Sequence, residues 1–172
     1  MFGFLRRRRL PAASRPALDA DERIVAWAGA SDDDVVVVTN LGIWLPGAPG
    51  RLGWHEIHKA TWSGRQLSLV ASSVVASEDG YDVVADRPAV VHTLLDPGHV
   101  PSQVRARVTK SIAYTQHHPP GVRVVARRVP GVDGLRWTVR YDPDVDTADS
   151  TVQATTPELV AYGKANVSGA VP

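Results

Sequence analysis

Residues 100–118, VPSQVRARVTKSIAYTQHH, are where the pattern of the chain changes. Val100, Val104, Val108 and Ile112 recur every four residues, the spacing of one helical face, while Gln103, Arg105, Arg107 and Lys110 point elsewhere. Pro101 suits a first turn, and Pro119, Pro120 and Gly121 bound the far end. The spacing predicts one amphipathic helix over 100–118, with His117 and His118 at its C-terminus, where the helix dipole favours imidazolium. Almost everything before it reads as strand. Residues 35–39, VVVVT, are β-branched and poor in helix propensity, and Asn40, Leu41 and Gly42 turn them into Ile43, Trp44 and Leu45. Further strands are predicted at 24–29, 52–62 and 67–71, with two short ones at 81–85 and 89–95.

After the helix, residues 122–129 and 135–141 flank Pro130 to Gly134 and read as a hairpin. Its second arm alternates Leu135, Trp137, Val139 and Tyr141 against Arg136, Thr138 and Arg140. The last stretch favours helix only in pieces, since Pro157 interrupts it and Thr156 can cap a short helix starting there.

The chain has 172 residues, of which 44% are hydrophobic and 22% charged, the balance of one ordinary globular domain. It has no cysteine, which excludes disulfides, thiol catalysis and cysteine-ligated clusters. No secretory signal pattern and no 18-residue apolar run is present, so the expected location is cytoplasmic, with the inner face of the membrane as a second possibility. Residues 1–21 read as a basic tail and linker, 22–118 as the barrel with its helix, and 119–172 as a hairpin-helix extension packed on the same domain.

The net charge of +1 conceals a segregation. Residues 1–15 hold five arginines and no acid, 16–99 hold twelve acids against five bases, and 100–140 hold eight bases against Asp133 alone. Residues 141–172 then set Lys164 against five acids. Two basic regions are therefore candidate sites. In the tail, Phe2, Phe4 and Leu5 can wedge into a bilayer interface while Arg6, Arg7, Arg8 and Arg9 meet anionic headgroups, each charge worth about 1 kcal/mol near the surface. A solubilising arm is the alternative. In the hairpin, Arg136 and Arg140 share a strand face, and Arg123 and Arg127 can join them across the turn to meet an anionic partner, or the segment can pack on its own acidic barrel. Trp137 and Tyr141 lie on the opposite face from the arginines, which disfavours nucleic acid. Trp27, Trp44, Trp54 and Trp62 fall in predicted strands and read as core.

Catalytic and metal patterns fail one by one. His55 and His58 are three apart, which on a strand puts them on opposite faces, so they cannot share an ion. Asp142, Asp144 and Asp146 open like a calcium loop, but Thr147 stands where that loop needs glycine and Gln153 where it needs a bidentate glutamate. No phosphate loop, nucleophile elbow or dinucleotide fingerprint occurs. The residues point to a non-catalytic interaction module without cofactor or metal.

Seven short antiparallel strands followed by one amphipathic helix is the element order of a pleckstrin-homology-like (PH-like) barrel, and the strings bear on this. VVVVTNLGIWLPG with RLGWHEIHKATWSGRQLSLV resembles the second-to-fifth-strand region of bacterial PH-like domains. WHEIHKATW at 54–62, VPSQVRARVTKSIAYTQHH at 100–118, VRVVARRVPG at 122–131 and WTVRYDPDVD at 137–146 resemble a family of small, uncharacterised actinobacterial PH-like proteins over about Glu22 to Asp146. The resemblance implies an α+β fold: a PH-like antiparallel β-barrel of about seven strands capped by the helix, with a C-terminal hairpin and short helix. It carries no activity or ligand, and its partner, a protein or an anionic lipid surface, is left open.

Overall fold

In the computed structural model, which describes residues 9–168, the valine run is an inner strand of an antiparallel sheet. That sheet has the order β1 (Ile24–Gly29), β2 (Val35–Thr39), β3 (Gly42–Trp44) and β4 (Leu52–Gly53). Val36, Val37 and Val38 are at most 1% exposed, so β2 is covered on both faces and its sequence shows no alternation. Gly42 is dictated by the approach of β4, because a Cβ there would lie 2.3 Å from the carbonyl oxygen of Leu52.

The other strands form a second, mixed sheet. β5 (Ile57–Ser63), β6 (Gln66–Glu78), β7 (Tyr81–Asp86), β11 (Leu135–Tyr141), β10 (Val122–Arg128) and β9 (Ile112–His118) follow one another across it, and β8 (Val90–Thr93) pairs with β6. β6 is the spine: its first residues pair with β5 and β8, and the stretch from Ser72 to Glu78 pairs with β7, with a register shift within it between Val74 and Ala76. Such an irregularity bends a strand and increases its twist, and the sheet curls into a half-barrel. The helices are α1 (Val100–Ser111) and α2 (Ser150–Ser168). No helix among the described residues is long and apolar enough to cross a membrane.

The α+β class matches expectation, but a closed, wholly antiparallel barrel does not form. The four-stranded sheet stays separate, and the hairpin β10–β11 extends the second sheet through a parallel pairing of β11 with β7. One apolar core joins the first sheet to β5, β6 and α1, with Ile43, Ile57, Leu67, Leu69 and Leu94 at its centre. Each such burial contributes roughly 1.5–3 kcal/mol. A second core lies between α2 and the sheet strands β9 to β11.

Three local readings are corrected. The helix over 100–118 stops at Ser111: Val100, Val104 and Val108 face the core as expected, but Ile112 turns to extended backbone and residues 112–118 become β9. The β-branched and aromatic residues Ile112, Tyr114 and Thr115 suit a strand, and β10 offers them a partner edge. His117 and His118 therefore lie on a strand, where His117 meets Asp142 at 2.8 Å, and do not cap a helix. The strand over 52–62 is broken by a 3₁₀ turn at Trp54–Glu56, which Glu56 closes by accepting the Gly53 amide at 2.7 Å. The short C-terminal helix is instead a 19-residue helix running through Pro157. Asp149 caps it by accepting the amides of Thr151 and Val152, while Thr156 donates its hydroxyl to the Val152 carbonyl at 2.7 Å. Proline removes one helical donor, and the packing of Val152, Thr156, Val160 and Gly163 holds the helix together across the gap.

Candidate functional site

The register of β10 and β11 places Arg123 opposite Arg140 and Arg127 opposite Arg136. All four side chains leave the hairpin on one face, since Val122, Val124, Ala126, Trp137 and Val139 occupy the other and pack under α2. The arginine face is the inner, concave side of the half-barrel, towards β5, β6 and β7.

Two of the four arginines are spoken for by acids of β7. Arg136 donates through Nε and Nη2 to Asp82 Oδ2 (3.2 and 3.0 Å), and Arg140 donates to Asp86 and, at 2.6 Å, to Ser72 Oγ. β7 and β11 share only two paired positions, Thr138 with Asp82 and Val139 with Val83. The two ion pairs thus staple a very short parallel seam. Ser77 and Arg136 together hold the Asp82 carboxyl below its ordinary range, the Ser77 hydrogen bond being the larger cause. The acidic stretch before residue 100 and the basic stretch after it meet here.

Arg127 is different. It is 7% exposed, and it donates to Ser111 Oγ (2.7 Å), the Ile57 carbonyl (3.0 Å) and the Val108 carbonyl (3.5 Å). No carboxylate pairs with it among the described residues, and burial pushes its pKa down. Among the described residues its charge meets neutral acceptors, at the partial negative end of α1 and at the Ile57 carbonyl of β5. Arg128, exposed on the other face, completes that helix end by donating to the carbonyls of Lys110 and Ile112. Arg123 has no ion pair among the described residues.

These side chains border two adjacent spaces. The first is a hollow of about 240 Å³ inside the half-barrel, bordered by Arg87, Arg127, Arg136 and Arg140 with His55 and Glu56. The second opens where β7 and β11 part beyond Val83 and Val139. It is a cleft of about 1010 Å³ bordered by Arg123, Val83, Ala85, Tyr141 and, from α2, Thr156 and Pro157. His58, Val84 and Arg140 border both, so the spaces meet at these three residues. Burial and then the cations Arg140, Arg127, Arg123 and Lys59 push the His58 imidazole down to about 4. Asp86, paired with Arg140, offsets part of this charge beside the junction.

The four hairpin arginines are therefore brought together, in the concavity of the sheet. Reading the sequence weighed His58 only as a metal ligand, and did not single out Ser72, Arg87, Asp82 or Asp86. One signal was available for the acids: Asp82 and Asp86 repeat the four-residue spacing of Arg136 and Arg140. Nothing local marks His58 or Ser72 for this place, because the curl of the sheet delivers them, from β5 and β6. Of the tail candidates, Phe2, Phe4, Leu5, Arg6, Arg7 and Arg8 lie outside the described residues, and Arg9 is exposed. Of the tryptophans read as core, Trp54 is buried and Trp62 is 38% exposed, a correction that follows from its place near the end of β5. Among the described residues no group of three or more histidine or acidic side chains is placed to hold a metal ion.

Compared with family models, curated proteins and solved structures, the chain matches none.

Proposed function

We propose that the protein is a non-catalytic, PH-like interaction module whose hairpin arginines receive the anionic group of its ligand inside the half-barrel. The PH-like part of this reading is supported by the single core that joins a four-stranded antiparallel sheet, β5, β6 and one helix. The binding part is carried by one observation: among the described residues Arg127 is buried beside the hollow without a carboxylate partner, and Arg123 borders the adjoining cleft without an ion pair. A buried, unpaired cation costs several kcal/mol, and an anion entering the hollow offsets that cost. A flat anionic surface fits less well, because Arg127 and Arg140 lie within the concavity.

The test is titration of the full chain with sodium sulfate at constant ionic strength, followed by NMR at the arginine Nε–H groups. Saturable shifts at Arg123, Arg127 and Arg140 that disappear in Arg123→Gln are expected. Shifts that track ionic strength alone, or persist unchanged in Arg123→Gln, overturn the reading.

A further inference from the structure

The hollow is small and cationic, whereas the cleft is large and bordered mainly by uncharged groups. Val75, Ala76, Val83, Ala85, Pro143 and Pro157 supply apolar surface, and α2 forms one side. The volume of about 1010 Å³ is at the upper end of the roughly 300–1,000 Å³ typical of small-molecule sites. The charge is arranged end to end. Arg140 stands at the junction with the hollow and Arg123 opposite it on β10, while of the acids of the cleft Asp86 is paired with Arg140, and Glu78 and Asp142 would repel a second negative charge. Arg123 and Arg140 occupy paired positions on β10 and β11, and guanidinium donors on one face suit a tetrahedral oxyanion, which accepts hydrogen bonds on several sides at once.

We propose that the hollow and the cleft form one site for a small phosphate monoester, its phosphate held at Arg123 and Arg140 and its uncharged body lying in the cleft beneath α2. This rests on the anion-binding reading above and adds the nature of the ligand. The parting of β7 and β11 after two paired residues is what makes the site continuous, since it lets one molecule reach from the α2 side into the arginine hollow.

The experiment is calorimetric titration of the full chain with inorganic phosphate, butyl phosphate and octyl phosphate at constant ionic strength. Octyl phosphate is expected to bind at least tenfold more tightly than inorganic phosphate, with butyl phosphate between them. Ala85 is exposed on the cleft wall, so Ala85→Trp narrows the cleft without disturbing a core. In that variant the gain from the alkyl chain should vanish while the affinity for inorganic phosphate is retained, and Arg123→Gln should weaken all three ligands. If inorganic phosphate binds and the alkyl chain adds nothing, the inference fails and the anion-binding reading stands. If nothing binds, both fail. Octyl phosphate binding undiminished in Ala85→Trp overturns the placement of the body. Vesicles of phosphatidic acid that displace octyl phosphate from the chain would show that the headgroup is taken from a bilayer, and would overturn the free-ligand form of the proposal.

Discussion

With its side chain fully buried, Glu22 accepts hydrogen bonds from Thr39 Oγ1 (2.7 Å) and Trp44 Nε1 (2.9 Å) on one oxygen, and from Arg51 (2.6 Å) and the Asp19 amide (3.1 Å) on the other. Burial alone would raise its pKa, but the donors Thr39 and Trp44, helped by Asp19 and Arg51, bring it below the ordinary 4.5. Glu22→Gln removes the ion pair and sets an amide against donors, so a loss of about 3 kcal/mol is expected in urea unfolding at pH 7. The wild-type contribution is fully present above the unfolded pKa of 4.5 and is lost as the pH falls through the lower folded value. His58 works in the other window. Its folded pKa of about 4 lies below the ordinary 6.5, so the fold holds the neutral ring. Stability is then expected to fall as pH drops from 6.5 towards 4, with a slope of up to about 1.4 kcal/mol per pH unit from this group. Saturating sulfate should raise the His58 pKa in an NMR titration, because it cancels the field of Arg140, Arg127 and Arg123. An unmoved pKa would place the anion elsewhere.

α2 depends on one glycine. A Cβ on Gly163 would lie 2.8 Å from Trp137 Cζ3 and 3.0 Å from Tyr114 Cε1, two rings whose centroids are 5.5 Å apart. Helix propensity favours alanine over glycine by about 1 kcal/mol, while overpacking costs about 1–3 kcal/mol. Overpacking wins here, since both neighbours are rigid rings on sheet strands. Gly163→Ala should therefore destabilise the protein by about 1 kcal/mol in thermal unfolding, against the propensity order, and an increase in stability would show that α2 is loosely seated. The same packing explains how the helix runs through Pro157.

For the molecule as a whole, the two basic regions are separate devices. Arg123, Arg127, Arg136 and Arg140 lie on the concave face of the half-barrel, whereas Arg9 at the edge of the tail is exposed. Deleting residues 1–15 should leave sulfate binding in the hollow unchanged. In co-sedimentation with anionic vesicles at low salt, any binding by the full chain should be lost on that deletion and weakened at high salt. Vesicle binding that survives the deletion would assign it to another surface. Retention of sulfate binding in the truncated chain is the control that separates a lost tail from a damaged fold.

The sequence by itself determined the elements that depend on near neighbours. The valine run made a buried strand, the four-residue spacing of Val100, Val104 and Val108 made a helix face, and the alternation around Trp137 and Arg136 made a hairpin with one apolar and one arginine face. It also separated acids from bases along the chain. What it did not determine is what depends on distant partners. Helix α1 ends at Ser111 because β10 offers residues 112–118 a strand partner. α2 passes Pro157 because β9 to β11 lie beneath it. The sheet stays open because its end strands, β5 and β9, do not pair with each other, and its two halves are joined by the β7–β11 seam, 56 residues apart at Asp82 and Thr138. Local propensity is a matter of tenths of a kcal/mol per residue, and the tertiary contacts that override it are several times larger. The candidate site belongs to this second class: its arginines are legible as a stripe, but only the curl of the sheet turns the stripe inward and sets His58, Ser72 and Arg87 around it.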